Sequence, residues 1–374
     1  VYQDKLRYIA ADPNIKLTVL LPERYLEGSK VVSASLGDGS YDVITLPTVC
    51  GEQGLQNRFW YKGLSNTLKA VNPDIIHAEE EPESLVTAQL IFNCRKLKKR
   101  PKFVGFTWRN MTFPLEAKSS WNWKSLLLST VQRYSLNKHD MIIGGSHLSE
   151  KYIRASGFRG PMRLIPQYGV NPEVYFPISR NITSANGSVD SEKFTIGFVG
   201  RILEMKGLHV LVNAMTRLPS DCELVILGSG EFLSNIQNLV SELKLTSRVK
   251  FKSGIPARDV PEVMRMFDVL CIPSLTSSLW REQFGRVIIE AMACGTPVVG
   301  SSSGEIPYVI GDAGLVCMEN DVDALADALN KLYVDSDLRN SMRLKGIQRV
   351  EANYTNQIIA QQILEVYQTL TEKL

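Results

Sequence analysis

An open α/β fold made of two Rossmann-like halves is predicted for this 374-residue chain. Short apolar strands alternate with amphipathic helical stretches nearly throughout, the pattern of a parallel sheet covered by helices on both faces. The length exceeds what one ordinary core supports and suits two domains of roughly 150 to 200 residues. Between the two runs of strands lies a polar stretch without periodicity, residues 177–193, which reads as a linker or exposed loop.

In chain order, residues 2–10 read as a helix. Strand candidates follow at 16–21, 41–46, 75–77, 102–106, 141–144 and 163–165. A Rossmann-like domain ordinarily opens with a strand and a glycine-rich turn. Here a helix comes first, so a first strand and glycine-rich loop are expected to be missing from domain 1–176. The second domain, 194–354, carries strand candidates at 195–199, 223–227, 249–252, 269–272, 297–300 and 314–317. Residues 355–374 form one amphipathic stretch, expected to pack as a helix toward the first domain. No repeat of solenoid period is present.

Composition narrows the class of function. With 22% charged and 44% hydrophobic residues the chain is that of a globular enzyme or binding protein. No apolar run reaches the ~20 residues of a membrane helix. Six scattered cysteines without a CxxC, mostly in apolar contexts, read as reduced core residues, hence a cytoplasmic location. The net charge of +3 divides unevenly: residues 1–176 hold 23 Lys and Arg against 16 Asp and Glu, the rest 19 against 23. The densest basic patch, residues 95–102 (RKLKKRPK), reads as a solvated helix end, or as a contact for an acidic partner or for anionic lipid at the inner face of a membrane. No nucleic-acid module accompanies it.

The segment 281–299 (REQFGRVIIEAMACGTPVV) places Glu282 and Glu290 with seven residues between them, across a loop that turns into a helix. Val287, Ile288, Ala291 and Met292 recur at helical spacing, and Gly295 with Pro297 ends the run. On this reading the helix begins near Phe284 and Glu290 sits about two turns in. The first amides, near Gln283, Phe284 and Gly285, are free to meet a phosphate. Each carboxylate can accept two hydrogen bonds from vicinal hydroxyls, and the bland alternative is a pair of ordinary acids near a helix start. After the strand at 195–199 come Gly200-Arg201 and Lys206-Gly207, two cations placed where the helix dipole disfavours them unless an anion binds. Gly228-Ser229-Gly230 follows another strand but lacks the third glycine of a dinucleotide fingerprint. Ile255 follows the strand at 249–252, where backbone could pair with a nucleobase.

Together Gly200-Arg201, Lys206-Gly207, Pro273-Ser274, Glu282-x7-Glu290, Gly295-Thr296-Pro297-Val298-Val299 and Ser303-Gly304-Glu305-Ile306-Pro307 resemble the donor half of family 4 retaining glycosyltransferases of GT-B fold, the group 1 glycosyl transferases. Residues 73–77 and 165–177 resemble that family's acceptor domain and the crossing into the donor domain. The resemblance implies two domains facing each other across a cleft. It implies a hexose moved with retention from a nucleoside diphosphate sugar, UDP- or GDP-linked, to a hydroxyl of a glycan, lipid or small molecule, as in polysaccharide biosynthesis. By it Arg201 and Lys206 hold the diphosphate, Glu282 binds the transferred sugar, Glu290 binds the ribose, and Gln283, Phe284 and Gly285 add backbone contacts. No metal or other cofactor is implied. The four histidines are dispersed, and Asp321-Val322-Asp323 reads as a helix cap.

One departure concerns the chemistry. Relatives often carry a second histidine after the strand ending at His77, where this chain reads His77-Ala78-Glu79-Glu80-Glu81. Glu79 or Glu80 is therefore the candidate to touch the donor sugar or the acceptor hydroxyl, beside Trp108, Arg109 and Asn110. The rival reading is a solvated acidic turn. Trp121, Trp123 and the leucines at 126–128 read as a packed helix or lid. Alternatives for the whole chain are a noncatalytic nucleotide-sugar sensor and a GT-B epimerase acting on the donor itself.

Overall fold

The computed structural model describes residues 4–27, 30–34, 37–53, 59–111, 123–178 and 193–372. The chain forms two compact units, Val1–Gln167 with Ile359–Leu374, and Tyr168–Ile358.

The first unit contains α1 (Asp4–Ala10), β1 (Thr18–Pro22), β2 (Arg24–Glu27), β3 (Lys30–Ser33), β4 (Asp42–Leu46), β5 (Thr48–Val49), β6 (Trp60–Tyr61), α2 (Leu64–Val71), β7 (Ile75–Ala78), α3 (Leu85–Cys94), β8 (Lys102–Thr107), α4 (Trp123–Leu136), β9 (Met141–Gly144), α5 (His147–Ala155) and β10 (Met162–Leu164). Among the described residues, its parallel strands form two pieces, the pair β1-β4 and the four-stranded sheet β10-β9-β8-β7. No strand pairing joins β1 to β7 among the described residues. Two antiparallel pairs, β2-β3 and β5-β6, were not read as strands. The signal for the first was present, since Gly28-Ser29 between alternating residues is a hairpin turn composition. Val104, Phe106, Met141 and Ile143 pack against Ile9 and against Ile359, Ile363 and Val366 of the C-terminal helix. Burying each such side chain contributes about 1.5–3 kcal/mol.

The second unit holds β11 (Phe194–Val199), α6 (Leu208–Ala214), β12 (Cys222–Leu227), α7 (Leu233–Glu242), β13 (Val249–Lys252), α8 (Val260–Arg265), β14 (Val269–Ile272), α9 (Arg286–Ala293), β15 (Val298–Ser301), α10 (Ile306–Ile310), β16 (Gly314–Cys317), α11 (Val322–Val334) and α12 (Ser336–Asn353). Among the described residues its six strands are all parallel, in the order β13-β12-β11-β14-β15-β16. Successive connections thus run outward in one direction from β11 and in the other from β14. The strand order reverses between these two neighbours, the switch point of an open α/β sheet. Ile196 and Phe198 of β11 and Leu224 and Ile226 of β12 pack on Leu208, Leu211 and Met215.

All twelve strand windows read from the sequence contain a strand. The first unit ends at Gln167 rather than near Phe176, because the chain after Tyr168 is tied to the second unit. Val170 bridges Thr355 and accepts from the Asn356 amide at 3.0 Å. The helix α13 (Asn356–Thr371) begins in the second unit and continues in the first. Of the proposed linker 177–193, residues 179–192 lie outside the described residues, as does Trp121. Asp321 caps α11 by accepting from the Ala324 amide at 2.9 Å, as its position suggested. No described helix is long and apolar enough to cross a membrane.

Candidate functional site

Because the strands of the second unit are parallel, the loops after β11, β12, β13, β14 and β15 all emerge at one edge of the sheet. That edge gathers Gly200-Arg201, Gly228, Ile255, Ser274 and Ser303-Gly304. Two loops lie directly against each other: the Gly200 amide donates to Leu227 O at 3.0 Å and the Ile202 amide to Ser229 O at 2.8 Å. Gly228 (φ 155°) has no room for a side chain, since a Cβ there would stand 1.9 Å from the Gly200 carbonyl oxygen. Arg201 is exposed and has no side-chain partner among the described residues.

Lys206 and Glu282 meet at the reversal point. The Lys206 Nζ stands 2.7 Å from Glu282 Oε2 and 4.8 Å from the Trp280 ring centroid, so carboxylate and aromatic face share one cation. Glu282 is buried and also accepts from the buried Ser274 hydroxyl at 2.9 Å. Its backbone is gripped from β15's loop: the Glu305 amide donates to Glu282 O at 3.1 Å. A Cβ on Gly304 would come within 1.9 Å of that same oxygen, which explains a glycine with φ 56° here. Ser274 and Trp280 belong to the site although neither was named as a binding residue from sequence.

The helix beyond Glu282 starts later than the apolar spacing implied. Gly285 is its N-cap at φ 75° and Arg286 its first residue, so Glu290 lies one turn in rather than two. Phe284 is not helical. It is buried edge-on to Tyr354, with ring centroids 5.8 Å apart. Gln283 is exposed in the approach loop. Glu290 is buried and ion-paired to Arg286 at 2.7 Å. Burial raises its carboxyl above the ordinary range, opposed by Arg286 and by a hydrogen bond from Tyr175.

In the first unit the acidic run after β7 is sorted by its partners. Glu79 is salt-bridged to the buried Lys5 and accepts from Gln167 Nε2 at 3.1 Å. Burial works against its charge, but Lys5 and His77 prevail and hold it below the usual carboxylate range. Glu81 accepts from the Thr107 hydroxyl at 2.6 Å and the Trp108 amide at 2.9 Å. Glu83 pairs with Arg109, whose guanidinium lies 4.9 Å from the Tyr152 centroid. Glu80 has Ser84 as its hydrogen-bonding neighbour, and burial together with the adjoining Glu81 pushes its carboxyl up to about 7. His77 is oriented through Nδ1 by the Tyr367 hydroxyl at 2.8 Å, and burial pushes it down to about 4. Trp108 donates through Nε1 to Gln167 Oε1 at 2.6 Å, and Asn110 is buried. The two acids nominated together therefore differ: Glu79 is neutralised by Lys5, while Glu80 titrates near neutrality. Lys5 lies 74 residues from Glu79, and no local pattern announced it.

Cations, buried carboxylates and a helix start meet where the strand order of the second unit's parallel sheet reverses, the place where open α/β sheets bind ligands. Residues 179–349 match the family model of the glycosyl transferases group 1. The chain is 37% identical over 159 residues to the D-inositol 3-phosphate glycosyltransferase of Corynebacterium jeikeium, covering 39% of this chain and 37% of that protein. It is 35% identical over 155 residues to the GDP-mannose-dependent alpha-(1-6)-phosphatidylinositol monomannoside mannosyltransferase of Mycolicibacterium smegmatis, covering 40% of this chain and 41% of that protein. These matches span well under half the length of either relative. Sucrose-phosphate synthase from Thermosynechococcus elongatus shares the fold over 100% of this chain and 93% of its own, with a TM-score of 0.70 and 23% identity. HepE from Anabaena, solved with UDP, shares it over 98% and 96%, with a TM-score of 0.73 and 20% identity.

Proposed function

We propose that the chain is a retaining glycosyltransferase that moves a hexose from a nucleoside diphosphate sugar to a hydroxyl acceptor. The observation that carries the reading is the pairing of Lys206 with Glu282 beside the unpaired Arg201, at the point where the sheet reverses direction. As the bond from the anomeric carbon to the phosphate oxygen breaks, negative charge gathers on the leaving diphosphate. Arg201 and Lys206 stabilise it, and the amides at the start of α9 assist. Glu282 takes hydroxyls of the sugar and Glu290 the ribose. The anomeric carbon bonds to the acceptor oxygen, and the acceptor proton departs. Glu80, near neutral pKa, is the first unit's candidate to receive that proton or to hold the acceptor hydroxyl.

UDP- or GDP-sugars are the donors to try first, the related mannosyltransferase being GDP-mannose-dependent by name. A thermal-shift screen of UDP-, GDP- and ADP-sugars tests the reading, since a ligand bound only by the folded state raises the melting temperature. No shift with any of them at millimolar concentration would remove it.

For a lipid or membrane-borne acceptor, the supporting feature is the basic patch at 95–102. Phe92 beside it is 52% exposed, with Lys96 Nζ 4.7 Å from its ring centroid. Lys99 pairs with Asp74 at 3.3 Å, and Arg100 lies 3.6 Å from Asp140. Co-sedimentation with phosphatidylglycerol vesicles, absent with phosphatidylcholine, is the expected result; equal binding to both would remove the charge-based contact.

A further inference from the structure

We propose that Tyr175 and Arg286 are positioning residues for Glu290, and that through Glu290 the Tyr175 hydroxyl sets how well the second unit tells a ribose from a deoxyribose. The inference rests on Glu290 as the ribose ligand. A carboxylate that accepts from two vicinal hydroxyls must be ionised and fixed in orientation. Glu290 is only 9% exposed, an environment that disfavours the charge. Two groups oppose this. Arg286, one turn earlier on α9, approaches Oε1 at 2.7 Å, and the Tyr175 hydroxyl hydrogen-bonds to the carboxylate. Burial and the Glu290 charge push the Tyr175 phenol up to about 12, so the hydroxyl stays protonated and donates throughout the working range.

Tyr175 is itself held by its neighbours. Its amide donates to Asn171 O at 2.9 Å. Arg265 donates to the carbonyls on both sides of it, Val174 O and Phe176 O, each at 2.8 Å, and stands 4.1 Å from the Phe176 ring centroid. One guanidinium thus pins the backbone before and after a single tyrosine. If that tyrosine were only a space-filler, the ring without its hydroxyl would serve equally well.

Tyr175→Phe keeps the ring and removes the donor. Calorimetric binding of UDP and GDP is compared with that of their 2′-deoxy and 3′-deoxy counterparts. The wild type is expected to prefer the ribonucleotide, and Tyr175→Phe to weaken it by about tenfold while leaving the deoxy forms unchanged, the scale of one charge-assisted hydrogen bond. Should Tyr175→Phe fail to fold, Arg286→Gln gives the same readout. Full discrimination in a folded variant of each overturns the proposal and leaves Glu290 as the ribose ligand. A wild type that binds without discriminating, or binds neither nucleotide, overturns both.

Discussion

Replacing Lys206 by Met strips the buried Glu282 of its cation, and the structure sets the size of the effect. The Glu282 side chain is 11% exposed and that of Lys206 22%, so a stranded carboxylate has less access to water than a stranded ammonium. Removing one partner of a buried pair costs 3–5 kcal/mol. With the Ser274 hydroxyl still 2.9 Å from Oε2, Lys206→Met is placed at the low end, about 3 kcal/mol. Glu282→Gln keeps that hydroxyl contact and leaves the better-hydrated ammonium, for about 1 kcal/mol. The double variant has no unpaired charge and is expected to cost about 2 kcal/mol, a coupling of roughly 2 kcal/mol between the sites. For a domain of this size each kcal/mol moves the melting temperature by roughly 2–4 °C, so Lys206→Met is expected to melt about 6–12 °C lower. Urea unfolding of the four proteins at pH 7.5 measures the cycle. Additivity within about 0.5 kcal/mol, or a Lys206→Met variant no less stable than Glu282→Gln, would refute the argument. It also bears on activity: lost turnover in Lys206→Met counts in favour of the diphosphate role only where it is measured with the variant folded.

Arg201→Ala is expected to leave stability within about 0.5 kcal/mol, because the side chain is exposed and unpartnered, while turnover falls at least about 100-fold; unchanged turnover would be the refutation. Glu80→Gln is read by stability against pH. In the folded state Glu80 keeps its proton up to about 7, so it destabilises the fold increasingly as pH rises from about 4.5 to 7. The variant is expected to flatten that slope and to gain at most about 3 kcal/mol at pH 8; an unaltered slope contradicts it. His139, buried against Phe103 and pushed down to about 4 by burial, works oppositely. Unfolding lets it take a proton, so stability is present above pH 6.5 and falls by up to about 3 kcal/mol toward pH 4. His139→Gln, by urea midpoints at pH 7 and 5, is expected to lose part of that difference. Gly228→Ala is expected to cost over about 3 kcal/mol, as its Cβ would strike the Gly200 carbonyl; a melting temperature equal to wild type would show that the two loops can separate.

What could be read from the sequence were elements whose cause is local. Each strand window is a short apolar run bounded by polar or turn residues, and each holds a strand. The acids of the 282–290 block and the cations after β11 were legible because their setting recurs in a known family. The errors have a common physical origin. Phe284 was counted with the helix because it is apolar, whereas it is buried against Tyr354 and the left-handed Gly285 starts the helix after it. Glu79 and Glu80 were indistinguishable as adjacent acids. Lys5 separates them from 74 residues away, by closing on one and not the other. Lys206 and Glu282, 76 residues apart, are likewise a pair only in three dimensions. Sequence patterns report periodicity; they do not report which distant charge a fold delivers to a buried acid.

That difference bears on the donor site proposed for the second unit. Both acids assigned to the sugar nucleotide are buried, and each already has a cation, Lys206 on Glu282 and Arg286 on Glu290. A buried carboxylate with no cation would be driven to its neutral form, and a neutral acid accepts poorly from hydroxyls. Each pairing offsets part of the cost of burying the acid and leaves it lone pairs to accept from a ligand. Lys206 serves twice on this view, fixing Glu282 by their ion pair and countering the diphosphate, whereas Arg201, with no side-chain partner among the described residues, serves only the diphosphate. Loss of Arg201 should then raise the donor concentration needed and slow transfer without altering which sugar is chosen. Loss of Lys206 should also relax the choice among hexoses, because the acid proposed to read their hydroxyls has lost the partner that fixes it. Relative rates with UDP-glucose and UDP-galactose, or with GDP-mannose and GDP-glucose, in the two variants separate these outcomes. Equal relaxation in both would mean that Lys206 has no role beyond that of Arg201.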